Sequence, residues 1–352
     1  MNLIQTIFEL AQKYPERKPG STAQKEVFAA IKQIAAAWGV YTESQKIPVY
    51  CFQTSLRVFI IGSIVAALLS FVGPGWGLLL SLGLYWMFIR ELVHPLLAKV
   101  NAVSGENLLI HIPARSKENQ KIILTTNISG DSFLEPPPAV SPRLYLILVY
   151  GLGLLAPVFL FLYWRLRIPS LLFFTAIPVC ALVFLSWYTR KTAFQDSGLD
   201  KAAVLLELGA VLLKSGVLST SVTLFFTGSK SLNSGILPVL QLLKSSGNEN
   251  GPLTYVINLM DLPDKRINVV TACGELVSRP SDPLLTDVLM EISREKNIPT
   301  QEIRLQQFTE TYPLKFKKIM TVALTHPQDQ YIGGNANRDL RELLLGLIRK
   351  LD

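Results

Sequence analysis

One acidic side chain stands at the start of a long apolar stretch. Asp200 is followed by "KAAVLLELGAVLLKSG" (residues 201–216), whose apolar spacing is typical of a buried helix. A carboxylate at this place can cap the helix, because the N-terminus of the helix dipole is positive. Its oxygen atoms can also bind a metal ion. We expect Asp200 to act mainly as a helix N-cap, and the residues alone leave the metal ligand open as an alternative.

A second candidate for chemistry is the serine block "SGDSF" (residues 129–133), which follows a strand pattern. It resembles the nucleophile block of the lipase-like hydrolases named for Gly-Asp-Ser-Leu. The Asp-x-x-His partner of that block is missing, and "HPQD" (residues 326–329) has the two residues in reverse order. We therefore interpret the block as a polar loop. No nucleophile elbow, P-loop or dinucleotide fingerprint is present.

Composition restricts the class of protein. Of the 352 residues, 49% are hydrophobic and 17% are charged, and the mean hydropathy is +0.34, which is more apolar than an ordinary soluble domain. The net charge is +8, but the basic residues do not form blocks interleaved with aromatics, so we expect no nucleic-acid partner. Three distant cysteines, Cys51, Cys180 and Cys273, indicate neither a disulfide framework nor a cysteine zinc site.

Two uncharged regions have the pattern of transmembrane helical hairpins. Residues 58–89 carry no charge, and one helix of that length would measure about 48 Å, so the break "GPGWG" (residues 73–77) predicts a hairpin. Residues 144–164 and 168–189 are also uncharged, and "RLR" (residues 165–167) separates them. The sequence therefore predicts hairpins over residues 53–97 and 141–191.

The flanking charges predict the orientation of these hairpins. Both hairpins would enter and leave on one side, and that side carries most of the basic residues near the spans: Arg57, Arg90, Lys99, Arg143, Arg190 and Lys191. The turn side carries Arg165 and Arg167. Because cytoplasmic flanks are enriched in lysine and arginine, we expect a multi-pass membrane protein whose remaining sequence is cytoplasmic.

The pattern of the rest of the chain predicts one discontinuous α/β domain. Its pieces are residues 1–52, 98–140 and 192–352, and helical and strand patterns alternate along them. Continuous apolar strands between helices predict a mostly parallel sheet flanked by helices on both faces.

The order of these elements resembles the zinc-dependent aminopeptidases of the aminopeptidase Y and bacterial leucyl aminopeptidase type. "PERKPGSTAQKEVFAAIKQIAAAWGV" is similar to the opening helix, Arg-x-x-Gly-Ser turn and second helix of that family. "IILTTNISGDS", "SGLDKAAVLLELG", "TLFFTGSKSLNSG", "YVINLMDLP" and "LTHPQDQ" follow in the order of the family's metal-binding segments. The resemblance implies a zinc-exopeptidase-like, phosphorylase/hydrolase-like fold.

The resemblance also implies where a pair of zinc ions would bind, and most of those positions have changed. Asn127 stands at the first histidine, Ser129 at its companion aspartate, and Asp200 at the bridging aspartate with Lys201 beside it. The paired glutamates, one of them the general base, are Ser229 and Lys230. The next aspartate is Met260, or Asp261 one residue on. The last histidine is Thr325, or His326 one residue on.

We therefore expect no catalytic residue, no metal site and no cofactor, and a role in binding or scaffolding. The alternative is an active, membrane-anchored divergent metallopeptidase that needs zinc, or another hydrolase. The absence of charged residues within the spans argues against a transporter. The expected partners are the lipid bilayer and, through Lys201 and Lys230, an anionic headgroup or an acidic peptide.

Overall fold

The computed structural model divides the protein into two compact units. The α/β unit comprises residues 1–49, 102–131 and 194–352, and the helical unit comprises residues 50–101 and 132–193. The structure describes these residues: 7, 9–10, 13–14, 17, 20–48, 52–93, 104–128, 142–188, 198–217, 219–228, 253–262, 266–273, 278–305, 320–327 and 335–352.

The described helices, in chain order, are α1 (Thr22–Ala37), α2 (Phe52–Val72), α3 (Pro74–Val93), α4 (Pro142–Leu166), α5 (Ser170–Phe174), α6 (Ala176–Tyr188), α7 (Gly198–Ser215), α8 (Pro283–Glu295) and α9 (Asn335–Leu351). The described strands are β1 (Tyr41–Pro48), β2 (Ser104–Ile112), β3 (Gln120–Asn127), β4 (Thr220–Thr227), β5 (Leu253–Leu262), β6 (Ile267–Cys273), β7 (Arg279–Pro280), β8 (Thr300–Leu305) and β9 (Met320–Pro327). All the strands belong to the α/β unit and all of α2 to α6 to the helical unit.

The strands form one mixed sheet in the order β1-β2-β4-β3-β5-β9-β6-β7, with β8 paired to β6. The four central strands β4, β3, β5 and β9 are parallel, whereas β1, β2 and β6 run antiparallel to their neighbours on this path. The sheet is therefore mixed: its centre is parallel, as expected, and β8 also pairs in parallel with β6, whereas β1, β2 and β6 depart from the expectation on the main path. Only residues 113–119 join β2 to β3, and so short a link reverses the chain, because a parallel crossover needs a dozen or more residues.

Helices α1, α7, α8 and α9 cover one face of this sheet with a continuous apolar core. Two of them start at side-chain caps, since Ser21 accepts from the amide of Gln24 at α1 and Asp282 from that of Leu285 at α8. Helix α7 ends at Ser215 and is followed by Gly216, whose φ of 74° suits glycine, and β4 is the next strand. Because α7 packs back along β3 and β4, its N-terminus lies at the carboxyl ends of the parallel strands.

In the helical unit, α2 and α3 run antiparallel on either side of Gly73. A Cβ built on Gly62 would meet Leu84, and one built on Gly77 would meet Ser70, so small residues allow the two helices to approach closely. Among the described helices, the stretch Ile147–Leu166 is long and apolar enough to cross a membrane. The apolar stretches Leu56–Val72 and Ser170–Phe184 are shorter.

Candidate functional site

A row of side chains crosses one face of the sheet at the carboxyl ends of the central strands. Asn127 of β3 is paired in register with Thr227 of β4, and Met260 of β5 with Thr325 of β9. Thr126 pairs with Leu259, which places Asn127 beside Met260. Residues paired in register point to the same face of a sheet. Asn127, Met260 and Thr325, three of the positions that the resemblance assigns to metal ligands, therefore stand side by side.

The polar members of this region hydrogen-bond to one another. Asn268 of β6 donates its Nδ2 hydrogen to Oγ1 of Thr325 over 2.8 Å. Two residues earlier on β3 and β5, Oγ1 of Thr125 donates to Oδ1 of Asn258, also over 2.8 Å. All four side chains are buried. Neutral amides and hydroxyls thus fill this part of the sheet, and they compensate in part for each other's loss of water.

The alternative ligand positions belong to the next row. Asp261 is paired in register with His326, one residue beyond the pair of Met260 and Thr325. The pair of Asp261 and His326 is therefore one residue out of register with the row of Asn127. Of the other candidate positions, Ser129, Ser229 and Lys230 lie outside the described residues.

Asp200 and Lys201 stand in the first turn of α7. The helix begins at Gly198, so Asp200 is the third residue of its first turn, and the expectation that Asp200 is the N-cap is wrong. Its charge still lies at the positive end of the helix dipole. Lys201 is 1% exposed, which is exceptional for lysine, and both side chains make interactions. Burial of an ammonium group requires compensating partners.

A clamp from the N-terminal segment holds the ends of β3 and β4. Buried Arg17 donates from Nε to the carbonyl oxygen of Ile128 over 2.9 Å. Nε2 of Gln24 donates to the carbonyl oxygen of Gly228 over 2.6 Å, and Oε1 of Gln24 accepts from the amide of Gly20. Ile128 and Gly228 directly precede Ser129 and Ser229, so this clamp fixes where both site segments begin.

Asn107 completes the clamp from β2. Its Oδ1 accepts from the amide of Gly228 over 2.9 Å. Gly228 has to be glycine here, because a Cβ would lie 1.9 Å from the carbonyl oxygen of Glu106. Sequence reasoning did not identify Arg17, Gln24 or Asn107. The available signal was the Arg-x-x-Gly-Ser turn, whose Arg17 is the first member of the clamp.

His111 lies away from this row, opposite Thr223 in the β2–β4 pairing. Its Nδ1 is 3.2 Å from Oγ1 of Thr223, and its Nε2 is 3.7 Å from a carboxylate oxygen of Glu43. Burial lowers the pKa of His111 below its ordinary value, with Lys121 adding to this effect and Glu43 opposing it. His111 is thus a packed imidazole that favours its neutral form.

The zinc pair of the resembled family can be tested against these donors. Zinc binds cysteine sulfur, histidine nitrogen and carboxylate oxygen. In the described part of the chain, no three His, Cys, Asp or Glu side chains come close enough together to hold a metal ion. The aligned row offers an amide, a thioether and a hydroxyl, and a buried lysine stands beside the remaining Asp200. This row does not fit zinc.

Comparison with known proteins identifies the fold. No protein-family model matches the chain, and no curated protein matches it. The structure is similar to that of an Acidobacteriales bacterium glutaminyl cyclase, with a TM-score of 0.55 and 12% identity over 99% of this chain and 93% of that one. The fold is exopeptidase-like.

Two further solved structures support this assignment. The Fimbriiglobus ruber glutaminyl cyclase has a TM-score of 0.54 and 10% identity over 99% of this chain and 93% of its own. The Legionella pneumophila LapA aminopeptidase has a TM-score of 0.51 and 10% identity over 99% of this chain and 71% of its own. Identities this low establish the fold and leave the activity to be argued from the site.

Proposed function

We propose that the protein is a multi-pass membrane protein whose exopeptidase-like domain binds a ligand without catalysis. The main support for the loss of catalysis is the aligned row of Asn127, Met260 and Thr325. A binuclear peptidase needs nitrogen and carboxylate ligands at these positions and a carboxylate base beside them. The residues at the positions of the paired glutamates are Ser229 and Lys230, so neither can act as that base.

Buried Lys201 supports the same conclusion. In the resembled family the bridging ligand stands at the position of Asp200, so the positive charge of Lys201 beside it would oppose the binding of dications there. Like charges at close range in a region of low dielectric constant oppose each other strongly. The alternative, an active divergent metallopeptidase, would have to use Asp200, Asp261 and His326, and the pair 261 and 326 belongs to the row beyond Met260 and Thr325.

The membrane part of the proposal is supported by the surface of the helical unit. Apart from Tyr41, Leu253 and Leu284, every exposed large hydrophobic side chain of the described residues belongs to this unit. Examples are Phe71, Val72 and Trp76, which are 67%, 89% and 71% exposed. A monomeric soluble protein rarely exposes an apolar surface of this extent. The predicted charge asymmetry supports a cytoplasmic α/β unit.

The ligand class that we propose is anionic. Lys201, Lys230 and the N-terminus of α7 would attract negative charge, and a domain anchored at a bilayer meets anionic lipid headgroups at high local concentration. An acidic peptide with the same charge is the other ligand that the test must separate.

Metal analysis and activity assays test the proposal directly. After purification in detergent and dialysis, the protein should hold no stoichiometric zinc by elemental analysis. It should release no amino acid from aminoacyl substrates and should not cyclise N-terminal glutaminyl peptides with zinc added. One or two zinc ions per chain, or turnover lost on Asp200→Asn, would overturn the non-catalytic proposal.

A gain-of-binding variant sharpens this test. The triple variant Asn127→His, Met260→Asp, Thr325→His puts zinc-binding side chains back into one row, so it should bind zinc that the parent does not. The matched control is Asp261→Asn with His326→Asn in the parent protein, which should change no metal content. Zinc in the parent that disappears in this control would instead show that the active alternative is right.

A further inference from the structure

The tips of the two helical pairs in the helical unit lie at the same level. A Cβ built on Gly75, at the turn between α2 and α3, would lie 4.0 Å from Nε1 of Trp164 near the end of α4. Leu78 of α3 and Leu160 of α4 belong to one buried cluster. Trp76 and Trp164 are both exposed at this end, where Arg165 follows. Exposed tryptophans beside arginine are typical of a membrane interface.

The opposite ends of the same helices are not level. The ring of Phe59 stacks on Phe88 at 4.9 Å, and Phe88 contacts the ring of Tyr150 at 5.6 Å between centroids. A Cβ built on Gly153 would lie 3.5 Å from Phe59. Arg57 precedes Phe59 by two residues and is exposed, so it stands level with the second and third turns of α4 rather than with its start.

These contacts define the apolar thickness that α2, α3 and α4 share. On α2 the charge-free stretch between the level of Arg57 and that of Arg165 is Val58–Val72. At a rise of 1.5 Å per residue it measures about 22 Å. A typical hydrocarbon core is about 30 Å thick. Some side chains of α4 lie outside this shared thickness, for example Leu144, Ile147 and Leu148. They are exposed apolar residues at the level of the Arg57 charge or farther from the tips of the helical pairs.

We propose that the helical unit is matched to a bilayer with a thinner than average hydrocarbon core, whether that membrane is thin throughout or is thinned around the protein. This inference rests on the membrane embedding proposed above. A bilayer of average thickness would bury the Arg57 charge or force its side chain to extend toward the interface, and both cost free energy. The hairpin of α2 and α3 contacts α4 from Phe59 to Gly75. It therefore cannot tilt independently of α4.

A series of lipid bilayers of different thickness tests this inference. The protein is reconstituted into phosphatidylcholine vesicles with monounsaturated acyl chains of about 14, 16, 18, 20 and 22 carbons, and Tm is measured in each. Flotation in a density gradient first shows whether the protein is embedded. We expect the highest Tm in the two shortest lipids and a steady decrease above them. A maximum at 18 carbons or above, or a Tm independent of chain length, would refute the thin-bilayer inference alone.

Two variants of Arg57 test whether its charge determines the preferred bilayer thickness. Arg57→Leu lengthens the apolar stretch of α2 and should move the maximum of Tm toward longer acyl chains. Arg57→Lys keeps the charge at the same level and should leave the maximum where it is. The same shift in both variants would show that thickness is not sensed through this charge. Failure of the parent to float with vesicles of any chain length would refute the membrane proposal itself.

Discussion

The proposed anionic ligand depends on Lys201 and Lys230, and buried Lys201 would act on it through its charge rather than by direct contact. Lys201 is 1% exposed and stands in the first turn of α7, where the helix dipole adds to its positive charge. We predict that Lys201→Met with Lys230→Ala lowers the affinity for vesicles containing phosphatidylglycerol while binding to neutral phosphatidylcholine stays unchanged. Methionine preserves most of the buried volume, so the circular dichroism spectrum should also stay that of the parent.

The matched control for this prediction is Lys214→Met, which removes a lysine from the exposed last turn of the same helix. It should leave the lipid preference unchanged. Competition by a soluble acidic peptide at equal charge would assign the site to a peptide ligand. Equal binding of parent and double variant at several salt concentrations would refute the anionic site.

His111 makes stability depend on pH. Burial, the largest cause, lowers the pKa of His111 in the folded protein, so the unfolded chain binds more protons once the pH falls below the ordinary value of about 6.5. The stability contributed by the neutral imidazole is therefore complete above that value and is lost as the pH falls toward the folded pKa. We predict that His111→Gln reduces the fall of Tm between about pH 7.5 and 5.5.

Glu43 provides the check on this explanation. Its carboxylate favours the protonated imidazole and so opposes the effect of burial. Glu43→Gln should make the fall of Tm with decreasing pH steeper than in the parent. The prediction fails if thermal scans of His111→Gln keep the slope of the parent, since another group would then be responsible.

At the residue scale the sequence predicts candidate positions better than it predicts their alignment. Asn127 follows directly from the strand "IILTTN" and the resemblance. The choice between Met260 and Asp261, or between Thr325 and His326, depends on strand register. The sequence of the loops between the strands does not reveal this register. Register in the sheet places Met260 and Thr325 in the row of Asn127. The consequence for metal binding stays a prediction until zinc is measured.

Among the elements, the segment before α1 has the clearest structural role. Gln24 is buried and joins Gly20 to Gly228, two residues that are 4 and 204 positions from it in sequence. Gln24→Ala would leave buried backbone groups without these partners, so we predict a loss of about 1–3 kcal/mol in the free energy of unfolding. Hydrogen exchange at the end of β4 should also increase, because this end opens more often once the carbonyl oxygen of Gly228 loses its hydrogen bond from Gln24.

Gln33 on the exposed side of the same helix is the matched control. Gln33→Ala should change the free energy of unfolding by less than about 0.5 kcal/mol and leave exchange at β4 unchanged. Equal effects of the two substitutions would mean that helix propensity explains the result, and the clamp would then have no measurable role.

Local patterns predict elements well and predict their pairing poorly. The spacing of Leu340, Leu343, Leu344 and Leu347 predicts a helix with one buried face, and all four are fully buried in α9. The direction of β2 and β6 was not predictable in the same way. Strand direction depends on the length of each connection and on non-local partners, which an apolar run of residues does not encode. The clamp was missed for the same reason, since Arg17 and Ile128 are 111 residues apart in sequence.

At the scale of the whole molecule, apolar surface and charge are distributed very differently over the two units. The α/β unit exposes a polar surface with ion pairs such as Lys296–Glu342 and Lys350–Glu291, at 2.8 Å each. The helical unit exposes leucine, phenylalanine and tryptophan, and its charges stand at the ends of the helices. This distribution is the one that the proposed membrane embedding of the helical unit requires.

The flanking charges predict which side of a membrane each part occupies. Arg57, Arg90 and Arg143 flank the starts and returns of the helical pairs, whereas the turn side carries Arg165 and Arg167. Because cytoplasmic flanks retain positive charge, reporter fusions at Glu118 and at the C-terminus should be active on the cytoplasmic side, and fusions at Gly75 and Leu166 on the far side. Moving charge tests the cause: Arg57→Gln with Arg90→Gln should increase the fraction of inverted molecules, while the same number of exchanges at Lys296 and Lys350 should not. A far-side signal at Glu118 in the parent would reverse the orientation, and a cytoplasmic signal at all four sites would show that neither helical pair crosses the bilayer.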